Sequence, residues 1–291
     1  MTTATPTTQI ELSQGTIAVR DTGSGEPIVF VHGLLVDGSL WRKVTPPLEG
    51  EFRCVAPDWP LGSHRTPMVA GADLSPRGVA NLIADALEAM GLDDVTLVGN
   101  DTGGAICQLV ATERPERIGR LVLTNCDAFE NFLPPMFRLL QWLGRVPPLL
   151  TAALQPLRLS TLHRLPIAFG MLTERPLPRD VTERWVRPFL SQRGVRRDTA
   201  KLLRGIDKRD TLAAAAKLAS FDRPALIAWA PDNAFPVDHG RRLATILPQG
   251  RFVEVPDSRT FVSEDQPERL AELIAEFMHA TPITDGAASI S

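Results

Sequence analysis

Tyrosine is missing from this chain of 291 residues, which contains 12 phenylalanines and 5 tryptophans. Any mechanism that needs a phenol as proton donor is therefore excluded. Cysteine is scarce as well: Cys54, Cys107 and Cys126 have no CxxC spacing and lie in or beside apolar segments. We interpret them as buried free thiols of a protein in a reducing cytosol.

Long apolar segments and concentrated basic stretches are also absent. No segment is apolar over the length that spans a membrane, and the Thr-rich residues 1–8 lack the apolar core of a signal peptide. The net charge of −3 gives little support to a nucleic-acid partner. We expect a cytoplasmic protein without a nucleic-acid or membrane partner, and the sequence leaves its oligomeric state open.

Seven apolar segments are typical of β-strands, and helical patterns separate most of them. The strands are predicted at residues 16–21, 27–31, 52–56, 95–98, 121–124, 225–230 and 252–255. The helices are predicted at residues 76–90, 103–113, 238–246 and 264–278. Continuous apolar strands that alternate with helices indicate an α/β fold with a mostly parallel, doubly wound sheet.

The alternation stops between residues 130 and 220, in a segment rich in Pro, Arg and Leu. Helical periodicity is present at 136–143 and 181–190, and no strand pattern is visible. We therefore predict a helical lid, 130–220, over the carboxyl ends of the strands, where such sheets bind ligands. The core then comprises 9–129 and 221–280, with disordered tails at 1–8 and 281–291.

Asp101 stands at a sharp predicted turn, in the sequence Gly99-Asn100-Asp101-Thr102-Gly103 between a strand and a helix. A side chain at such a turn is exposed above the sheet and is backed by the amides of the helix start. Gly99 and Gly103 allow the two backbones to approach each other. An aspartate at this position is a candidate for attack on carbon, with formation of an ester.

The chain resembles the α/β-hydrolase family from residue 16 to about residue 278. Within that family it is similar to the aspartate-nucleophile group of haloalkane dehalogenases and epoxide hydrolases. The resemblance rests on the turn 23–27, on His32-Gly33, on Pro57-Asp58 and on the elbow at Asp101. Several motifs in the right order imply an α/β-hydrolase fold and neither a cofactor nor a metal.

The resemblance also implies roles for individual residues. Asp101 would be the nucleophile, and the backbone amides of Leu34 and Thr102 would form the oxyanion hole. Asp232, after the strand 225–230, would be the catalytic acid. Asp127 is a second position at which some members carry that acid.

The family's catalytic histidine has no counterpart in the segment 255–267. Thr260 occupies its expected position. A threonine hydroxyl cannot accept a proton at neutral pH, so it cannot activate the water that would hydrolyse an aspartyl ester. His32, which is usually structural beneath the oxyanion loop, and His64, in the loop after the third predicted strand, are the accessory candidates.

Three chemistries of this group lose their key donors here. Haloalkane dehalogenases hold the halide with a Trp after the nucleophile and a donor from the oxyanion loop, where this chain has Thr102 and Leu34. Epoxide hydrolases use two lid tyrosines, and the chain has no tyrosine. Fluoroacetate dehalogenases place arginines after the nucleophile, where residues 102–105 read Thr-Gly-Gly-Ala.

Two hypotheses about function remain. The first is an enzyme, a hydrolase by resemblance, with lyase or isomerase activity as alternatives. In it, Asp101 and Asp232 act on a small hydrophobic molecule by hydrolysis or by acid–base chemistry such as elimination, isomerisation or cyclisation. The second is a non-catalytic ligand-binding or scaffold protein. The glycines and the ionisable residue of the elbow favour the enzyme.

Overall fold

The computed structural model describes residues 7–283, in which eight strands form one sheet. The strands are β1 (Thr7–Leu12), β2 (Gly15–Thr22), β3 (Pro27–Val31), β4 (Arg53–Pro57), β5 (Val95–Asp101), β6 (Ile118–Cys126), β7 (Ala225–Trp229) and β8 (Gly250–Glu254). Their order is β1-β2-β4-β3-β5-β6-β7-β8, and only the pairs β1/β2 and β2/β4 are antiparallel. The predicted mostly parallel sheet is therefore confirmed.

β1 is a strand that the sequence pattern did not indicate. It pairs with β2 along its whole length, from Thr7 opposite Arg20 to Leu12 opposite Gly15. None of its residues is buried, so it lacks the apolar run by which the other strands were predicted. Thr7 and Thr8 belong to the sheet, which corrects their assignment to a disordered tail. Residues 1–6 and 284–291, the greater part of the predicted tails, lie outside the described residues.

Eleven α-helices occur within residues 7–283. They are α1 (Thr45–Leu48), α2 (Pro76–Ala89), α3 (Thr102–Glu113), α4 (Arg138–Leu143), α5 (Pro147–Leu154), α6 (Arg179–Ser191), α7 (Arg193–Gly205), α8 (Lys208–Lys217), α9 (Val237–Ile246), α10 (Val262–Asp265) and α11 (Pro267–Ala280). The single helix predicted at 264–278 is two helices, because Gln266 has non-helical backbone angles before Pro267. None of the described helices is long and apolar enough to cross a bilayer.

Both faces of the sheet are covered, as alternate residues of β3 illustrate. Ile28 and Phe30 pack in one apolar cluster with Phe277 of α11. Val29 and Val31 point to the other face and pack in a second cluster, which contains residues of α2, α3 and α9. Burial on both sides accounts for the continuous apolar character of this strand.

The segment between β6 and β7 contains α4 to α8, and we call it the insertion. Its helices α4 and α6 correspond to the predicted helical stretches 136–143 and 181–190, whereas α5, α7 and α8 were not predicted. Ala214 of α8 and the adjacent Leu218 belong to the apolar cluster on the α2–α3 face of the sheet. The last part of the predicted lid therefore packs against the core.

Candidate active site

Asp101 lies where β5 passes into α3 without an intervening loop. Its backbone has φ 55° and ψ −134°, a region that is costly for any residue with a side chain. Small residues allow the strand and the helix to approach. A Cβ atom on Gly99 would lie 2.7 Å from both the Sγ of Cys107 and the Cα of Gly104. The predicted geometry of strand, sharp turn and helix is confirmed.

Two backbone amides, those of Leu34 and Thr102, stabilise the ionised form of the Asp101 carboxyl group and so lower its pKa. Leu34 lies in the loop after β3, and Thr102 is the first residue of α3. Gly33 provides the space for the carboxyl group, because a Cβ atom there would lie 2.6 Å from the Cβ of Asp101. The fold therefore brings N–H groups from two separate segments to one side chain.

Burial raises the pKa of Asp101 from 3.8 to about 7. The amides of Leu34 and Thr102 act in the opposite direction because they stabilise the carboxylate, but desolvation has the larger effect. The negative charge of Asp232 raises the pKa further. Asp101 therefore populates both its protonation states near neutral pH.

Asp127 lies beside Asp101, just after β6, and its backbone N–H is 3.4 Å from the Asp101 carbonyl oxygen. Its carboxyl oxygens accept hydrogen bonds from the Leu133 amide at 2.8 Å and from the Thr102 hydroxyl at 3.4 Å. Burial, and then the charge of Asp101, raise its pKa well above the ordinary value. Burial therefore favours the protonated form of Asp127.

Asp232 and Thr260 form a hydrogen-bonded pair in the loops that follow β7 and β8. The Thr260 hydroxyl donates to Oδ2 of Asp232, and Oδ1 of Asp232 accepts from the Ala234 amide at 2.7 Å. Asn100, which precedes Asp101 on β5, donates from Nδ2 to the Thr260 carbonyl oxygen at 2.7 Å. This last bond fixes the position of Thr260 relative to the elbow.

A cavity of about 260 Å³ lies between the elbow and the insertion. Among the described residues, 19 line this cavity, and Asp101 is the only one of them with a polar side chain. Leu34 and Phe235 contribute from the core, and α4 and α5 contribute further apolar side chains. A cavity of this size and lining suits a small apolar molecule whose reacting group reaches the carboxyl group.

Residues 26–267 match the family model of the alpha/beta hydrolase fold. The chain belongs to the α/β-hydrolase fold family. Haloalkane dehalogenase 2 of Mycobacterium tuberculosis (strain ATCC 25618 / H37Rv) is 30% identical over 277 residues, which cover 91% of this chain and 92% of the relative. The 2-hydroxy-6-oxo-2,4-heptadienoate hydrolase of Pseudomonas putida is 30% identical over 66% of this chain and 75% of the relative. Both relatives of this α/β hydrolase are named as enzymes, one as a dehalogenase and one as a hydrolase.

Solved structures support the fold. The structure of an alpha/beta hydrolase fold protein from Burkholderia ambifaria has a TM-score of 0.79 at 23% identity, covering 92% of this chain and 97% of that one. The structure of a thermophilic esterase from Thermogutta terrifontis has a TM-score of 0.72 at 22% identity, covering 94% and 98%. Both likenesses concern the architecture of the α/β hydrolase.

The two accessory histidines are engaged away from Asp101. His32 accepts a hydrogen bond at Nε2 from the Trp59 amide at 2.9 Å, and burial lowers its pKa to about 4. His64 is buried, with Nε2 3.3 Å from the Asp198 carboxylate of α7. Among the hydrogen bonds of residues 7–283, none joins either ring to Asp101. His32 holds the loop after β4, and His64 contacts the insertion.

The other three histidines contact structural partners. His163 bonds the Thr182 hydroxyl at 2.8 Å within the insertion. His239 packs edge-on against Phe129, with ring centroids 5.6 Å apart. His279 contacts Glu51 at 2.9 Å on the surface.

Two features of the site were not predicted from the sequence. The first feature is Asn100, a buried amide in β5. Its position directly before Asp101 in the sequence was the local signal that could have indicated its role. The second feature is a pair of contacts between the segment that joins β3 to α1 and the helix α6: Trp185 donates to the Ser39 hydroxyl at 2.9 Å, and Arg184 pairs with Asp37 at 3.0 Å. These partners are 146 and 147 positions apart, so no local pattern indicates them.

Proposed function

We propose that this α/β hydrolase is an enzyme that transfers a proton to or from a small apolar substrate through the Asp101 carboxyl group. One observation carries the proposal: among the described residues that line the apolar cavity, Asp101 is the sole one with an ionisable side chain. Asp101 is therefore the side chain with which a substrate in that cavity would exchange a proton. The insertion would serve as the lid, because α4 and α5 contribute to the lining.

The pKa of Asp101, raised to about 7, suits this role. A proton-transfer catalyst is most effective when its pKa lies near the working pH, because both protonation states are then accessible. The amides of Leu34 and Thr102 would hold one carboxyl oxygen in place. The other oxygen would remain available to the substrate.

The position of Thr260 supports proton transfer over turnover through an ester. We take Thr260 as the occupant of the family's histidine position, and its hydrogen bond to Asp232 agrees with that assignment. The Thr260 hydroxyl already donates to a carboxylate, and the threonine side chain has no basic nitrogen with which to activate water. An ester formed on Asp101 would therefore persist.

A second candidate is hydrolysis through an ester on Asp101, with Asp232 as the base. The two amides that bind the Asp101 carboxyl group favour it, because they would also stabilise the oxyanion formed during hydrolysis. A third reading is a ligand-binding protein that performs no chemistry. The three readings differ in what happens to a molecule after it enters the cavity.

The first test follows hydrogen exchange at the α-carbon of small apolar ketones in D₂O by NMR. We expect Asp101→Asn to lower the exchange rate at least about 100-fold, because general acid–base catalysis contributes factors of that size. Asp238→Asn, on the exposed side of α9, is the matched control. Ketones that bind by calorimetry and show no exchange with the parent protein would identify a binding protein.

The second test treats the protein with small alkyl halides and epoxides and follows its mass. A persistent adduct on Asp101 without turnover agrees with a site that lacks a base for ester hydrolysis. Steady turnover that is lost in both Asp101→Asn and Asp232→Asn would replace proton transfer by the hydrolytic mechanism.

A further inference from the structure

Exposed large apolar side chains are concentrated in one part of the insertion. Among residues 7–283, eight such side chains are exposed, and seven of them lie between residues 136 and 165. We call these seven residues the apolar face: Met136, Leu139, Trp142, Val146, Leu149, Leu159 and Leu165. Exposed apolar groups gathered in one region mark a surface that contacts another apolar phase.

The apolar face is continuous with the cavity above Asp101. Met136, Leu139 and Leu165 line the cavity and are also 41%, 60% and 45% exposed. Leu149 lies one helical turn before Ala153, which lines the same cavity. A molecule that passes from the apolar face into the cavity would therefore remain against apolar side chains.

The charged side chains of the segment that carries the apolar face have one sign. Residues 131–173 contain no aspartate or glutamate and four arginines. The arginines are Arg138, Arg145, Arg158 and Arg164, and all four are exposed. None of them forms an ion pair within residues 7–283. Exposed arginines beside exposed apolar side chains are typical of segments that lie on an anionic lipid surface.

We propose that the apolar face and its four arginines dock this α/β hydrolase on an anionic lipid surface. A second copy of the chain is a poorer occupant, because pairing two such faces would bring eight arginines together, and the segment 131–173 supplies no carboxylate to offset their charge. Such docking needs no spanning helix, so the lack of one does not oppose it. Docking itself does not depend on the function proposed above. Uptake of the apolar substrate from the lipid phase into the cavity does rest on it.

Co-sedimentation with vesicles tests docking without any substrate. We expect the protein to bind vesicles of phosphatidylcholine mixed with equimolar phosphatidylglycerol more tightly than vesicles of phosphatidylcholine alone. Binding should weaken as salt is raised. Arg145→Gln should weaken binding about fivefold. The double variant Trp142→Ser/Leu149→Ser should weaken it about tenfold or more, and neither of its residues lines the cavity.

Matched controls separate this face from the rest of the surface. Val69→Ser changes an exposed large apolar residue outside the apolar face, and Arg251→Gln changes an exposed arginine on β8. Both should bind like the parent, and circular dichroism establishes that all variants are folded.

Equal binding to both vesicle types, or no binding to either, would overturn the proposal. So would a dimer in sedimentation that Trp142→Ser/Leu149→Ser converts to a monomer. Ketone exchange measured without vesicles tests the proposed function separately.

Discussion

The Thr260 hydroxyl donates a hydrogen bond to the Asp232 carboxylate, in the loops that follow β8 and β7. Asn100 holds the backbone of Thr260 from the strand that carries Asp101. The two contacts hold the side chain of position 260 at Asp232 and its backbone at β5, the strand that carries Asp101. A larger, basic side chain at this position would meet Asp232 as a ready partner.

Thr260→His should supply the missing base. An imidazole oriented by Asp232 accepts a proton from water, so an alkyl ester on Asp101 should hydrolyse about 100-fold faster than in the parent. Mass spectrometry after a pulse of alkyl halide measures the loss of the adduct. Thr260→Val is the control, because it has a similar volume and no base. Equal adduct lifetimes in the two variants would show that position 260 does not face the reacting carbon.

Asp101→Asn should change how stability depends on pH. The pKa of Asp101 rises on folding from 3.8 to about 7, so between these values the folded state holds a proton that the unfolded state has lost. This contribution to stability is fully present below about pH 4 and is lost as the pH rises towards 7, with a slope of roughly 1.4 kcal/mol per pH unit.

Chemical denaturation of parent and Asn variant from pH 4 to pH 8 measures this slope. Asparagine does not ionise, so the free energy of unfolding of the variant should fall less between pH 4 and pH 8 than that of the parent. Asp238→Asn should behave like the parent. Parallel pH curves for Asp101→Asn and the parent would mean that Asp101 is ionised throughout.

Gly33→Ala should disrupt the site. The added methyl group would overlap the Asp101 side chain and push its carboxyl group from the amides of Leu34 and Thr102. We expect a loss of about 1–3 kcal/mol in the free energy of unfolding, typical of overpacking, together with the loss of Asp101-dependent activity. Gly71→Ala is the control, since no atom lies within 4 Å of the added group. Equal stability and activity in both variants would contradict the packing of Asp101 against Gly33.

His64→Ala should leave the pH dependence of activity unchanged. We expect the pH–rate profile to have a single limb near pH 7, which comes from Asp101. Histidine side chains in general titrate in this range, so mutation must distinguish the two residues. Loss of the bond to Asp198 should lower stability by about 1–3 kcal/mol. Reaction rates measured across pH for His64→Ala and Asp101→Asn show which residue produces the limb. Its disappearance in His64→Ala would identify His64 as the base.

Local pattern was enough to predict those parts of the fold that depend on neighbouring residues. The strand β5 and the elbow follow from an apolar run that ends in small residues, because a sharp turn requires them. The start of α2 follows from Ser75, whose hydroxyl accepts from the Gly78 amide at 3.1 Å. β1 escaped prediction because it is held by backbone pairing with β2 and buries no side chain.

The sequence by itself determined the mostly parallel sheet, the elbow at Asp101 and the lack of a phenol donor, because these depend on residue type and short-range spacing. Only the tertiary structure decided that Asp101, with a pKa near 7, is the single ionisable group among the described residues that line an apolar cavity. It also decided that Thr260 pairs with Asp232 and that the insertion exposes an apolar face. Burial, cavity lining and hydrogen bonding arise from residues far apart in the chain, which no local pattern brings together.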